Sequence, residues 1–428
     1  MRILLLTHYY APEFGAPQRR WSALVQRFIA SGNQVTVAAP VPHYPGGRPT
    51  PAQRRTHHVG DIERGAHGET VLRTAYLPHR TDIFSRTADH LIAAGDALRR
   101  LLARFARPEH RPDVVIATAP AIPTLMVGRV LAARWQIPLV VEMRDAWPDL
   151  VTHVGPAGAI PAEVAHAPHP GLLRRASRWA VVLAKGQVHQ NVTGWQRGAQ
   201  AVVTTTDRFA DVLVERGIDR VEVVRNGTDL NAVRAQHERV PGERSELRCL
   251  YLGNMGRSQG LEIVVRAAAR LHQEGTALRV RLLGHGVQAT ALAALTEELS
   301  APVEVLPRIP HREVGAQYAW ADTVIVSLRN WAPFAWTVPS KLYEILATGR
   351  HITALLEGEA ADVVREAGAG DVLRPEDEDA LVQLWRRLAA DRTQTAINGS
   401  GRRWVADNAD DELLARRYLE ILEEVTGR

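Results

Sequence analysis

The chain has 428 residues, 46% of them hydrophobic and 23% charged, with a formal net charge of +5 and one cysteine. That length exceeds what one hydrophobic core serves, so two domains are expected. A single cysteine excludes an intramolecular disulfide and a multi-cysteine zinc site, and gives Cys249, inside RCLYL, a packing role.

MRILLLT is too short an apolar run for a signal peptide, and no later run approaches the ~18 apolar residues of a membrane span, which predicts a cytoplasmic protein. The basic residues are spread along the chain, so no nucleic-acid partner is indicated. Short apolar runs alternate with helical patterns from end to end, as in parallel sheets wrapped by helices. Strands are predicted at 2–7, 34–39, 113–118, 139–143 and 201–205, then at 248–253, 278–284, 303–306, 323–328 and 351–356. Two series predict two doubly wound α/β domains, 1–225 and 226–407, joined by the polar, turn-rich stretch 224–246. Residues 408–428 put Leu414, Tyr418, Ile421, Leu422 and Val425 on one helical face, expected to pack back on the first domain. Residues 83–107 read as a basic amphipathic helix with Phe84, Leu91, Ile92, Leu98, Leu102 and Phe105 on its apolar side. Covering the first sheet is its expected task, with a membrane surface the alternative. The Gly-, Pro- and Ala-rich segment 153–171 predicts a loop.

Ligands of open α/β sheets sit beyond the carboxyl ends of the strands, and four strand exits are unusual there. THYYAPEFGAPQRRW runs the first strand through Gly15 into a helix. LVVEMRDAWPDL gathers Glu142, Arg144, Asp145 and Asp149. YLGNMGRSQGLEIVV sets Arg257 among Gly253, Gly256 and Gly260, and an arginine fork at a glycine-rich helix start suits a phosphate. TVPSKLYE opens a helix with Pro339 and Ser340, so Lys341 and the free N–H groups of the first turn converge on one place, with Glu344 one turn deeper. Two of the 52 basic residues are lysine, Lys185 and Lys341. Arg257 and Lys341 together point to a diphosphate on the second domain, with Glu344 placed to accept hydrogen bonds from a ribose.

Taken in order, YYAPEFGAPQRR, MRDAWPD, VRNGTD, YLGNMGRSQGLE, LLGHG and VPSKLYEILATGR resemble the motifs of retaining glycosyltransferases of family 4, nearest the capsule and O-antigen amino-sugar branch. The resemblance implies the GT-B architecture, two Rossmann-like domains facing across a cleft. It implies a UDP- or GDP-sugar donor on the C-terminal domain, an acceptor on the N-terminal domain, and no cofactor or metal. Carried over, Arg257 and Lys341 hold the diphosphate, Glu344 the ribose, and Gly15 approaches the phosphate. Gly256, Gly284, Arg308, Ile309, Trp336, Val338 and Ser340 complete the donor site. Glu142, Arg144, Asp145 and Arg20 serve the acceptor, with Arg144 and Asp145 also counted as catalytic. Two departures stand out: Trp336 occupies the place of a first glutamate eight positions before Glu344, and Gln259 that of a lysine in the first phosphate loop.

With no clear carboxylate nucleophile, the resemblance favours front-face substitution, in which the leaving phosphate helps take the acceptor's proton. The acceptor is expected to be a lipid-linked sugar at the inner membrane face, which would bring peripheral membrane contact, or else a soluble metabolite offering a hydroxyl or thiol. Rival readings are a nucleotide-sugar epimerase, a non-catalytic sugar-nucleotide binder, and an NAD oxidoreductase resting on GHGVQA (284–289) with Glu304 as its acid. EDED (376–379) and His57, His58 and His67 imitate metal motifs weakly.

Overall fold

A computed structural model describes residues 1–80, 82–144, 146, 149, 186–235 and 246–428. The chain divides into two compact units, Met1–Arg225 with Leu414–Arg428, and Asn226–Leu413. Asp145, the loop at 153–171 and residues 236–245 of the expected connection between domains lie outside the described residues.

The first unit is built on eight strands: β1 (Arg2–Leu6), β2 (Gln34–Pro40), β3 (Ile62–Arg64), β4 (Thr70–Thr74), β5 (Val114–Thr118), β6 (Leu139–Met143), β7 (Ala201–Thr204) and β8 (Val221–Val223). Their order is β3-β4-β2-β1-β5-β6-β7-β8, and all pairs are parallel except β3 with β4. Every residue of β5 and β6 is buried, as expected of strands covered on both faces. The chain proceeds outward from β1 on one side and returns to begin again at β5 on the other, so the sheet's switch point lies between β1 and β5.

The second unit holds β9 (Leu247–Asn254), β10 (Leu278–His285), β11 (Val303–Leu306), β12 (Thr323–Ser327), β13 (His351–Leu355) and β14 (Gly370–Leu373). Their order, β11-β10-β9-β12-β13-β14, is parallel throughout and puts the switch point between β9 and β12. Separate apolar clusters cover the two faces, one around Leu342, Tyr343 and Val364, the other around Val264, Leu271 and Trp385. Cys249 is buried in the second cluster, and burial pushes its thiol pKa up, which fits a packing residue.

The C-terminal helix Asp411–Thr426 contributes Leu414, Tyr418, Ile421 and Leu422 to the core of the first unit. The Tyr418 ring meets Trp21 edge-on at 5.9 Å and Phe28 at 5.7 Å. The helix Ile83–Arg104 departs from the expected apolar stripe. Its buried residues are Asp89, Ala93, Ala94, Ala97 and Leu101, and Phe105 is buried as expected just past its end, whereas Phe84, Leu91, Ile92 and Leu102 are exposed. Small side chains let the helix lie close to its neighbours, and that close face, rather than the line of largest residues, turns inward.

Candidate functional site

The exits of β9 and β12 are neighbours at the switch point of the second sheet, and Arg257 and Lys341 follow those two strands. Between β9 and its helix, Arg257 lies in the glycine-rich stretch and the helix follows Gly260, as the sequence suggests. The stretch itself forms a 3-10 turn, Arg257–Gln259, ended by Gly260 in the left-handed region (φ 59°), and the α-helix begins at Glu262. Gln259, at the position where a lysine was expected, uses its side-chain oxygen to accept the Gly256 N–H at 3.0 Å. The exit of β12 braces this turn: Ser327 Oγ donates to the Gln259 carbonyl at 2.6 Å, and Arg329 N to that of Ser258 at 2.9 Å. Arg329 Nε donates to the Arg257 carbonyl at 2.7 Å, while its other nitrogens pair with Glu262 and Glu376. Arg257 itself is exposed.

Glycine is required where β10 leaves the sheet beside β9. Gly284 has φ 157°, and a Cβ there would lie 1.8 Å from the Gly253 carbonyl oxygen. Met255 N donates to His285 O at 2.6 Å, locking the two exits backbone to backbone. Arg308, exposed, and Ile309, half-buried, follow β11 beside that edge.

Beyond β12, a 3-10 turn ends at Trp336, Val338 is buried in the core, and Pro339 caps the helix Ser340–Thr348. Pro339 offers that helix no side-chain cap, and its carbonyl accepts the Leu342 N–H at 2.8 Å. Lys341 Nζ lies 2.8 Å from Glu344 Oε1, one turn away. The same Oε1 accepts the Tyr318 hydroxyl at 3.1 Å. Glu344 is 5% exposed, so its charge is held by side-chain donors, Lys341 and Tyr318 among them, rather than by water. Sequence reasoning missed Tyr318 and Arg329, which orient Glu344 and the Arg257 turn from distant parts of the chain.

In the first unit, Glu142 and Arg144 leave β6 fully or nearly buried. Arg20 grips Glu142 Oε2 at 3.3 Å and donates to the carbonyls of Val224 at 2.9 Å and Arg225 at 2.5 Å. Arg144 Nη2 donates to Ala119 O at 3.0 Å, and its Nε lies 3.6 Å from Glu142 Oε1. Two arginines therefore share one buried carboxylate and tie the exit of β6 to that of β5. Gly15 precedes the helix Ala16–Ala30 in extended backbone (φ 177°) that any residue adopts, and a Cβ there would meet Gln18 Oε1 at 2.4 Å. Its glycine makes room for Gln18, whose Nε2 donates to Glu13 Oε2 at 3.1 Å.

The weak metal motifs resolve into local pairs. Glu376, Glu378 and Asp379 pair with Arg329, Arg266 and Arg270, and Asp377 caps the Ala380 N–H. His57 pairs with Glu63, His58 with Asp61, and His67 with Ser22. Glu304 lies inside β11 paired with Arg281 at 2.9 Å, away from the strand's carboxyl end, which removes the acid that the NAD reading needed.

A family model described as Glycosyltransferase Family 4 matches residues 18–232, and one described as Glycosyl transferases group 1 matches residues 246–391. The putative colanic acid biosynthesis glycosyl transferase WcaI of Escherichia coli (strain K12) is 25% identical over 89% of this chain and 90% of its own. Among solved structures, sucrose-phosphate synthase from Thermosynechococcus elongatus superposes with a TM-score of 0.72 at 16% identity, over 100% of this chain and 99% of its own. HepE from Anabaena, in complex with UDP and glucose, gives 0.65 at 15% identity, over 99% and 100%. These likenesses show the GT-B fold.

Proposed function

Because the chain belongs to glycosyltransferase family 4, we propose that it moves a sugar from a nucleoside diphosphate-sugar to a hydroxyl-bearing acceptor with retention of anomeric configuration. The observation that carries this reading is the adjacency of β9 and β12 at a switch point whose two exits bring Arg257 and Lys341. Arg257 offers a two-pronged donor and Lys341 a compact ammonium with three N–H bonds, so pairing with Glu344 and gripping a phosphate oxygen are compatible. The helix start at Ser340 adds the favourable polarity of a helix N-terminus. As the glycosidic bond breaks, negative charge grows on the diphosphate, and these groups stabilise it where it develops. Glu344, oriented by Tyr318, accepts from the ribose hydroxyls, and the exits of β10 and β11 with Gly284, Arg308 and Ile309 flank the base. The leaving phosphate oxygen takes the acceptor's proton, which dispenses with a carboxylate nucleophile. A uridine donor is favoured by the likeness to HepE, recorded with UDP-glucose.

Arg144 and the adjoining exit loops of the first unit receive the acceptor, a lipid-linked sugar. The likeness to a protein named for colanic acid biosynthesis supports that choice. So do Phe84, Leu91 and Ile92, exposed on a helix that also carries Arg99, Arg100 and Arg104. Among the described residues no helix is long and apolar enough to cross a membrane. The test is incubation with labelled UDP- and GDP-sugars, with lipid-linked and with soluble acceptors, followed by NMR of the product's anomeric proton. Transfer to the lipid-linked acceptor with retained configuration supports the reading. Inversion, or turnover of donor into another nucleotide-sugar without an acceptor, overturns it.

A further inference from the structure

Three histidines of the first unit converge on one carboxylate oxygen, and nothing in the transfer reading uses them. His8 follows β1, His43 follows β2, His79 follows β4, and Asp89 projects from the helix Ile83–Arg104. His8 Nε2 lies 2.9 Å, His43 Nε2 3.0 Å and His79 Nε2 3.8 Å from Asp89 Oδ2. His8, His43 and Asp89 are at most 5% exposed, and their ligand atoms lie within 4.8 Å of one another.

The hydrogen bonds around the cluster fix which atoms face inward. His43 Nδ1 donates to the Val41 carbonyl at 2.7 Å, and His79 Nδ1 to that of Arg80 at 2.7 Å. With the Nδ1 proton so committed, Nε2 faces the carboxylate. At 3.0 Å from Asp89 Oδ2, that of His43 either carries a second proton that it donates to that oxygen or, as part of a neutral imidazole, offers its lone pair to a cation shared with it. Asp89 is oriented in the same way, its Oδ1 accepting the Leu77 N–H at 2.7 Å, so Oδ2 faces the imidazoles. Outer hydrogen bonds of this kind fix the tautomer and angle of metal-bound histidines. Ligand atoms about 2.0–2.2 Å from a tetrahedral ion stand about 3.3–3.6 Å apart, so the His8 and His43 separations of 2.9 and 3.0 Å would open by a few tenths of an ångström and the His79 separation of 3.8 Å would close by as little.

We propose that His8, His43 and Asp89 form a binding site for a divalent transition cation of the zinc class, with His79 as the fourth ligand. Two or three imidazoles with one carboxylate suit that class of ion and disfavour magnesium or calcium, which take oxygen ligands. The ion would clamp the exits of β1, β2 and β4 to one helix. It would thereby hold the loop that carries Glu13, whose Oε1 accepts the His43 and Tyr44 N–H groups at 2.7 and 2.8 Å. This site is separate from the diphosphate chemistry and stands whether or not the transfer reading does.

The test titrates full-length, chelator-treated protein with Zn²⁺ alone by calorimetry and with Co²⁺ alone by visible absorption. One ion per chain is expected. Asp89→Asn and His43→Gln should each weaken uptake at least about 100-fold, beyond the usual cost of losing an outer partner, and His58→Ala should leave it unchanged. Should the cluster variants fail to fold, anomalous scattering from wild-type crystals soaked in Zn²⁺ decides. A peak about 2.0–2.2 Å from His8 Nε2, His43 Nε2 and Asp89 Oδ2 supports the site. Absence of uptake, uptake indifferent to Asp89→Asn, or a peak at other residues overturns it.

Discussion

Lys341 Nζ and Glu344 Oε1 stand 2.8 Å apart on successive turns of one helix, and the Tyr318 hydroxyl donates to that same oxygen at 3.1 Å. The pair presents a cation and an acceptor at fixed separation beside a helix start, which suits a ligand carrying both phosphate and hydroxyl groups.

Tyr318→Phe removes one donor to a nearly buried carboxylate. The expected cost is about 1 kcal/mol in donor affinity, the net worth of a typical hydrogen bond. Glu344→Gln should cost more for a ribonucleotide than for its 2′,3′-dideoxy counterpart, because only the former offers hydroxyls to the carboxylate. Calorimetry with both nucleotides checks this, and equal losses would remove Glu344 from the ribose.

Gly284→Ala combines an unfavourable φ with a Cβ 1.8 Å from the Gly253 oxygen. It should destabilise the second unit by at least about 3 kcal/mol and abolish donor binding. Gly315→Ala is the control: its Cβ would meet nothing within 4 Å, and it lies in the helix His311–Trp320. There alanine should stabilise by about 0.5–1 kcal/mol. Thermal unfolding of the two variants should therefore shift in opposite directions.

Arg20→Ala removes one of the two arginines on the buried Glu142 charge, leaving Arg144, Thr118 and Tyr418 among its polar neighbours. A loss of about 3–5 kcal/mol is expected for breaking such a pair. Denaturant unfolding followed by a probe in the first unit measures it. A variant of unchanged stability would show that Arg20 is not a brace and return it to the acceptor's side.

The strands legible in the sequence are those buried on both faces, because a parallel strand under helices reads as an unbroken apolar run. DVVIAT and LVVEM announce β5 and β6 in this way. The strands that escaped are β3, β4, β8 and β14. They are short and carry charges such as Glu63, Arg73, Glu222 and Asp371, so no period distinguishes them from loops. The site divides similarly. Lys341 and Glu344 were legible because three residues of one helix hold their relationship. Arg329 and Tyr318 were not, since the bonds from Arg329 to Arg257 and from Tyr318 to Glu344 join positions 72 and 26 residues apart. His8, His43 and Asp89 likewise come together only through the order of the strands. The helix begins after Gly260, as the sequence suggests, but the turn at Arg257–Gln259 that precedes it has no periodic signature.

The central claim is that the second unit grips a nucleoside diphosphate through Arg257 and Lys341. The most direct measurement is calorimetric titration of wild-type, Arg257→Ala and Lys341→Ala protein with UDP and with GDP, each variant first shown by circular dichroism to be folded. Each substitution should weaken the preferred nucleotide by about 1.5–3 kcal/mol, the worth of hydrogen bonds to a charged group, which is roughly 10- to 150-fold in affinity. Wild-type affinity for both nucleotides in both folded variants would contradict the account.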